Sequence, residues 1–124
     1  MSGQEKIETF EEFWVFYVGE HRSPLNRFLH YLGTGSAILL AAYTVLTLSN
    51  ILLLLLVPLI GYGNAWIGHF FVEKNKPASF KYPLWSFFGD LKMLAYGVTG
   101  RMGKEVVRLY GSTHPAPDAP RLDQ

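Results

Sequence analysis

A chain of 124 residues with no cysteine and a formal net charge of +1 has the length of one domain, and its composition excludes several classes of protein. Disulfide bonds and thiolate metal sites are excluded, so any metal must be held by nitrogen and oxygen ligands from the four histidines and ten carboxylates. The near balance of 11 basic and 10 acidic residues gives no reason to expect a nucleic-acid partner.

The first predicted helix is rich in aromatic residues. Thr9 and Glu12 are spaced as a capping box, which predicts a helix that begins at about Phe10. Aromatic residues and a histidine then follow at spacings of three and four, so they share one face of an amphipathic helix. Because Trp and Tyr prefer the headgroup level of a bilayer, this helix is predicted to lie on the membrane surface, although core packing explains the pattern equally well. The face comprises Phe10, Phe13, Trp14, Tyr17 and His21.

The next part of the chain carries no formal charge. All 11 basic and all 10 acidic residues lie outside the interval from Phe28 to Val72. A bilayer core of about 30 Å is crossed by about 20 helical residues, so the interval has room for two crossings and a tight turn. Only helices and closed barrels satisfy the backbone in lipid, and the leucine-rich, non-alternating pattern is typical of helices. A buried hairpin in a soluble helical protein is the alternative.

The boundaries of the two apolar helices follow from local signals. Ser23 and Pro24 predict the cap and the first residue of a helix that runs to about residue 48. Ser49 and Asn50 suit a tight turn, and the second helix is expected from about residue 51 to 74, before Pro77. All 11 Lys and Arg residues flank the open ends of this hairpin, so the positive-inside rule places both termini in the cytoplasm.

A third helix is predicted from residue 83 to about 99. Asp90 and Lys92 oppose a full crossing, so we expect an interfacial helix folded back over the cytoplasmic ends of the hairpin. The Pro-rich text after Gly111 is typical of disorder. The predicted fold is therefore all-α: an integral membrane hairpin of two spanning helices, with an N-terminal amphipathic helix and a third interfacial helix. One membrane-embedded domain is expected over residues 1–111, followed by a disordered tail over 112–124.

Three histidines converge if this hairpin forms. Antiparallel helices bring His30, near the start of the first, beside His69, near the end of the second. His21 is tethered to the same place by the short turn before Pro24, and Glu73 lies one turn beyond His69 on the same face. Three imidazoles and a carboxylate without sulfur suit Fe(II), Zn or Mn, and a set of two histidines and one carboxylate is associated with iron oxygenases.

Each of these residues also has a simpler interpretation. A histidine at a helix end is often a capping residue, and Glu73 could form only a hydrogen bond along its helix to His69. Arg22 and Lys74 are ordinary positive flanks of membrane helices, although they could hold an acidic head group or a substrate carboxylate. His114, in the Pro-rich tail, is expected to be solvated. A non-catalytic membrane module and a zinc hydrolase are therefore alternatives.

Two segments, FWVFYVGEHRSPLNRFLHYLG and GHFFVEKNKPAS, resemble the family of small membrane proteins that includes the fungal 2-hydroxy fatty acid dioxygenase. His21 and His30 match the first histidine pair of that family. A second block matches at five further positions: His69, Glu73, Lys74, Pro77 and Ala78. The resemblance covers about residues 11–78. It implies an iron(II)-dependent enzyme that uses O2 to shorten a 2-hydroxy fatty acid by one carbon, with the histidines required for the metal.

The resemblance also implies partners and site roles. A long-chain 2-hydroxy fatty acid, O2 and membrane lipid are the expected partners, and Fe(II) is the expected cofactor, bound by His21, His30 and His69. Glu73 is expected to be a catalytic residue, either as a ligand or by orienting an imidazole. Arg22 or Lys74 is expected to pair with the substrate carboxylate. The fungal enzyme has further hydrophobic segments between the two blocks, so a pocket formed by them is either absent here or contributed by another subunit of a homo-oligomer.

Overall fold

The computed structural model describes residues 7–122, and every regular element in this range is a helix. The prediction of an all-α fold is therefore confirmed for the described residues. A 3-10 helix, Ile51–Leu55, precedes the third α-helix, and a π-helix, Gly68–Glu73, follows it directly. A short 3-10 turn, Ala78–Phe80, precedes the fourth. The α-helices are α1 (Phe10–Gly19), α2 (Pro24–Leu46), α3 (Leu56–Ile67), α4 (Pro83–Val98) and α5 (Met102–Tyr110).

The starts of α1 and α2 are set by the predicted caps. The Thr9 hydroxyl accepts a hydrogen bond from the Glu12 N–H at 3.1 Å, and the Glu12 carboxylate accepts one from the Thr9 N–H at 3.1 Å. The Ser23 hydroxyl accepts from the Leu25 N–H at 3.2 Å, and Pro24 is the first residue of α2. Since α1 ends at Gly19, only a short connection separates the two helices, and His21 lies within it.

The helix α2 packs antiparallel to the segment Ile51–Glu73. A Cβ atom on Gly33 would lie 3.2 Å from the carbonyl oxygens of Ile60 and Gly61. A Cβ atom on Gly68 would lie 1.8 Å from the side-chain oxygen of Asn26. Contacting residues therefore run in opposite directions along the two helices, and small residues allow the close approach. As a result, the start of α2 lies beside the end of the π-helix.

The outer surface of these two helices is apolar. Each is 23 residues long and apolar enough to cross a membrane by length and composition. Within the most hydrophobic stretch of each helix, the buried share of the residues is 22% for α2 and 11% for Ile51–Glu73. Leu39, Leu46 and Leu55 are between 66% and 81% exposed. This low burial differs from that of a core helix in a soluble protein, and it favours association with a membrane.

The buried core lies where α1, α4 and α5 meet. Phe13, Trp14 and Tyr17 of α1 are at most 3% exposed, and they belong to one cluster with Met93 of α4 and Leu109 of α5. Aromatic rings account for much of this cluster, and their stacked and tilted contacts add to the stabilisation from apolar burial. The aromatic face of α1 therefore packs within the molecule, and its predicted location at the membrane surface stays a prediction.

The tail after α5 lies against the connection between α1 and α2. Its composition predicts disorder, whereas in the structure three of its carbonyl oxygens accept hydrogen bonds from arginine side chains. Arg27 donates to Thr113 at 2.7 Å, and Arg22 donates to Ala116 at 2.6 Å and to Ala119 at 3.0 Å. Two guanidinium groups need several acceptors, and a segment without helix has free carbonyl groups. Residues 123 and 124 of the predicted tail lie outside the described range.

Candidate metal site

Three buried histidine side chains meet at the end of the helix pair where α2 begins. His21 lies between α1 and α2, His30 lies in α2, and His69 lies in the π-helix. Their exposed fractions are 0%, 4% and 1%. The Nε2 atom of His21 is 3.2 Å from Nε2 of His30 and 3.0 Å from Nε2 of His69. One ring nitrogen from each residue lies within 4.8 Å of the others, so the group could hold a metal ion.

The opposite ring nitrogen, Nδ1, faces an oxygen atom in all three histidines. A carbonyl, an ionised carboxylate and an amide oxygen can only accept hydrogen bonds, so each of these oxygens favours a proton on the Nδ1 that faces it. The Asn75 amide is oriented by its own NH2 group, which donates to the Glu20 carbonyl at 3.2 Å. The three oxygens belong to the Tyr17 carbonyl for His21 (2.6 Å), the Asp90 carboxylate for His30 (3.7 Å) and the Asn75 amide for His69 (2.7 Å).

Two of the Nε2 atoms meet as acceptors. With the proton on Nδ1, the Nε2 atom of a neutral imidazole has no hydrogen and can only accept. The 3.0 Å distance between the Nε2 atoms of His21 and His69 therefore joins two acceptors, which is unfavourable unless a cation lies between them. Carbonyl and carboxylate groups on the outer nitrogen are the usual partners of metal-bound histidines. Three nitrogen donors without sulfur fit Fe(II), Zn(II) or Mn(II).

The protonation states of His21 and Tyr17 fit this arrangement. Burial, followed by repulsion from His30 and His69, holds the pKa of His21 well below its usual 6.5, so its ring is neutral. Burial, followed by the negative charge of Asp90, raises the pKa of Tyr17 well above 10. The Tyr17 hydroxyl therefore stays protonated and donates a hydrogen bond to the Asp90 carboxylate. Asp90 thus joins the Tyr17 hydroxyl to the His30 ring.

The end of the π-helix sets the surroundings of His69. Lys74 adopts the left-handed conformation, with a φ angle of 62°, and ends the helix. The Asn75 N–H then donates to the His69 carbonyl at 2.8 Å, so the chain turns back on itself. This turn places the Asn75 side chain against the His69 ring. Short π-helical segments are frequent at functional sites, and here the break in the regular helix supplies a partner for a candidate ligand.

Glu73 lies beside the site but is not one of the three residues that the structure brings together. Its carboxylate accepts hydrogen bonds from the Ser23 N–H at 2.6 Å and from the Asn26 side chain at 3.2 Å. Both donors belong to the start of α2, where the helix dipole favours a negative charge. Glu73 therefore connects the end of the π-helix to the start of α2, and its role as a ligand or catalytic residue stays a prediction.

Arg22 and Lys74 lie outside the pocket that contains the histidines. The Arg22 guanidinium donates to the carbonyl groups of Gly19, Ala116 and Ala119 at 2.6 to 3.0 Å. The Lys74 residue is exposed. Their binding of a substrate carboxylate stays a prediction, and in the structure Arg22 holds the tail against the connection between α1 and α2.

A pocket extends from the histidines between α1, α3 and α4. Among the described residues, no Lys or Arg lines it, so its polar wall consists of the three imidazoles, hydroxyl groups and one carboxylate. The apolar wall comes from Ala65, Pro77 and Ala78. The pocket can therefore hold a small polar group in contact with the candidate metal site. The hydroxyl and carboxylate groups belong to Tyr17, Tyr62, Ser79, Ser86 and Asp90.

The sequence pattern did not reveal the partners of the three histidines. In the sequence, Asp90 indicates only a charge that opposes a membrane crossing, and Asn75 gives no signal of a role. Both contacts depend on tertiary packing and on a left-handed residue, which periodicity does not report. The sequence did contain one signal for Asp90, because a lone carboxylate in an apolar helix is by itself a candidate functional residue.

Replacement of Asp90 by asparagine is expected to weaken metal binding about ten- to a hundredfold, the usual effect of losing a partner of a metal-bound histidine. The amide lacks the negative charge that faces the His30 Nδ1–H. Competition with a chelator in detergent solution measures the change. Asp118→Asn, in the exposed part of the tail, is the matched control and should bind like the wild type. Equal affinities for all three proteins would show that Asp90 does not act on the site.

One family of proteins matches the chain. A family model described as 2-hydroxy-palmitic acid dioxygenase Mpo1-like matches residues 7–102, which is most of the chain. The matched range contains α1 to α4, and with them the three histidines and Asp90. The resemblance seen in the sequence is thereby confirmed. Comparison with curated proteins and with solved structures gives no significant match.

Proposed function

The chain belongs to the 2-hydroxy-palmitic acid dioxygenase Mpo1-like family, and from this premise we propose that it is an Fe(II)-dependent dioxygenase that shortens 2-hydroxy fatty acids by one carbon. The observation that carries the proposal is the buried group of three histidines, with ring nitrogens within 4.8 Å of one another and with the Nδ1 atoms of His21 and His69 on oxygen partners. The family description supports the substrate class, and the histidine group supports the metal.

In this proposal His21, His30 and His69 hold the iron. Fe(II) held by these residues would supply the activation of O2. The protein holds the His21 ring neutral and orients the three rings through the Tyr17 carbonyl, Asp90 and Asn75, which is the role of such outer partners in metal enzymes. Glu73 keeps the two helices that carry His30 and His69 in register through Ser23 and Asn26.

The proposed reaction needs no further reductant. A 2-hydroxy acid and O2 have the same atoms as an acid one carbon shorter, CO2 and water. The C1–C2 bond breaks, C1 leaves as CO2, C2 becomes the new carboxyl carbon, and O2 accepts the four electrons that these two carbons lose. The protein therefore has to bind the acid and O2 at one site, and no binding site for a reducing cofactor is required.

We further propose that α2 and the segment Ile51–Glu73 cross the membrane as a hairpin with both termini in the cytoplasm. The charged residues lie outside the stretch from Phe28 to Val72, and the outer surface of both helices is apolar. In this arrangement the histidines lie at the cytoplasmic end of the hairpin, with α4 at the interface. A fatty acid could then reach the site from the lipid with its carboxyl group at the headgroup level.

Oxygen uptake tests the proposed activity. We expect the protein purified in detergent to consume O2 only when both Fe(II) and a long-chain 2-hydroxy fatty acid are present, and to release the acid that is one carbon shorter. The same fatty acid without the 2-hydroxyl group is the matched control and should give no uptake. Absence of uptake from protein that retains bound metal would contradict the dioxygenase and favour a zinc hydrolase or a non-catalytic membrane module.

A further inference from the structure

Ser86 carries a buried hydroxyl group that has no hydrogen-bond partner within the described part of the chain. The residue lies in α4 and is 4% exposed. A buried polar group without a partner lowers the stability of a protein, and alanine at this position would remove that cost. The hydroxyl is therefore explained best by a partner that binds to the protein.

The position of Ser86 indicates where such a partner binds. Ser86 lines the pocket that also contains His21, His30 and His69. It precedes Asp90 by four residues on α4, so the two side chains lie on the same face of the helix. Asp90 in turn faces the His30 ring. A ligand that contacts the Ser86 hydroxyl is therefore in the same pocket as the candidate metal site.

The hydroxyl groups of the pocket differ in whether they are available to bond to a bound ligand. No Lys or Arg of the described residues lines it, and its one carboxylate, Asp90, already accepts a hydrogen bond from Tyr17. Tyr62 is 40% exposed and Ser79 is partly exposed, so both hydroxyl groups can bond to solvent. Ser86 differs because its hydroxyl is shielded and unpaired, which makes it an available donor for an oxygen atom of a bound acid.

We propose that the Ser86 hydroxyl donates a hydrogen bond to a carboxylate oxygen of the bound 2-hydroxy fatty acid. This inference rests on the proposed function and assigns a substrate-binding residue to it. The carboxylate then lies inside the pocket beside the histidines, and not at Arg22 or Lys74 on the outside. A hydrogen bond to a charged oxygen is stronger than one between neutral groups, so this contact favours the ionised acid.

A binding titration tests this assignment. Wild type, Ser86→Ala and the matched control Ser36→Ala are loaded with Co(II) in detergent micelles and titrated with 2-hydroxypalmitic acid, with visible absorption of the cobalt as the readout. The control removes a hydroxyl from α2, away from the pocket. We expect Ser86→Ala to bind the acid about ten- to a hundredfold more weakly, the range for loss of a hydrogen bond to a charged group. Ser36→Ala should bind like the wild type.

Thermal unfolding of the metal-free proteins separates substrate binding from a structural role. Because the hydroxyl has no partner among the described residues, Ser86→Ala should unfold at the same temperature as the wild type or at a higher one. Unchanged binding of the acid, or a lower unfolding temperature of the metal-free variant, would overturn the inference. If the acid leaves the cobalt spectrum of the wild type unchanged, the proposed function itself is contradicted.

Discussion

Replacement of His30 by alanine is expected to abolish stable iron binding. The imidazole supplies one of three nitrogen donors that lie within 4.8 Å of one another. Two nitrogen ligands bind an ion much more weakly than three. Loss of a residue that only supports a ligand costs about ten- to a hundredfold in metal affinity, so loss of a ligand should cost at least about a hundredfold. Iron content after purification in detergent and dialysis, determined by elemental analysis, measures the effect.

The fourth histidine provides the matched control for this prediction. His114 is exposed in the tail and lies outside the histidine group, so His114→Ala should retain the iron content of the wild type. The His30 variant should remain folded, because His30 lies outside the buried aromatic cluster of α1, α4 and α5. Equal and negligible iron in the wild type and His30→Ala would contradict a metal site at these residues.

Replacement of Gly68 by alanine is expected to destabilise the protein by about 1–3 kcal/mol and to lower iron binding with it. A Cβ atom at this position would lie 1.8 Å from the side-chain oxygen of Asn26, a fully buried residue whose NH2 group donates to Glu73. Relief of this overlap requires the Asn26 side chain to leave its bond to Glu73 or the π-helix to move away from α2. Because His69 is the next residue, a movement of the π-helix displaces its ring from His21. Thermal unfolding in detergent and iron content measure the two effects.

Gly63→Ala is the matched control, since Gly63 lies in the same helical stretch and a Cβ atom added there would meet no described atom within 4 Å. Alanine in an open helical position should be neutral or stabilising by up to about 1 kcal/mol. In the Gly68→Ala background, a second change, Asn26→Ala, removes the overlapping atoms and should restore part of the lost stability. Equal stability of the two glycine variants would show that α2 and the π-helix are not in close contact.

Local signals in the sequence were sufficient for the starts of α1 and α2, and one topological assumption was sufficient for the grouping of the three histidines. The capping box at Thr9 and the Ser23-Pro24 pair fix the starts of α1 and α2 through contacts within a few residues. The convergence of the histidines requires only that the two apolar helices run antiparallel, which short connections favour. These features depend on neighbours in the sequence or on one topological assumption.

The residues that face the outer nitrogens of the histidines could not be predicted from local signals. Asp90 meets His30 only because α4 packs beside α2, and Asn75 meets His69 only because Lys74 is left-handed. Arg22 carries an ordinary positive charge in the sequence, yet two of its three acceptors lie more than 90 positions away in the tail. Each of these contacts depends on tertiary packing or on a single backbone conformation, neither of which produces a periodic pattern.

X-ray absorption at the iron K-edge of the Fe(II)-loaded protein tests the central claim most directly, because it reports the ligands of the bound ion. The account predicts the multiple-scattering pattern of three imidazole ligands, unchanged in His114→Ala, and any iron that His69→Gln retains should show at most two imidazole ligands. An iron shell made only of oxygen ligands, or a spectrum that is the same in the wild type and His69→Gln, would contradict a site formed by His21, His30 and His69.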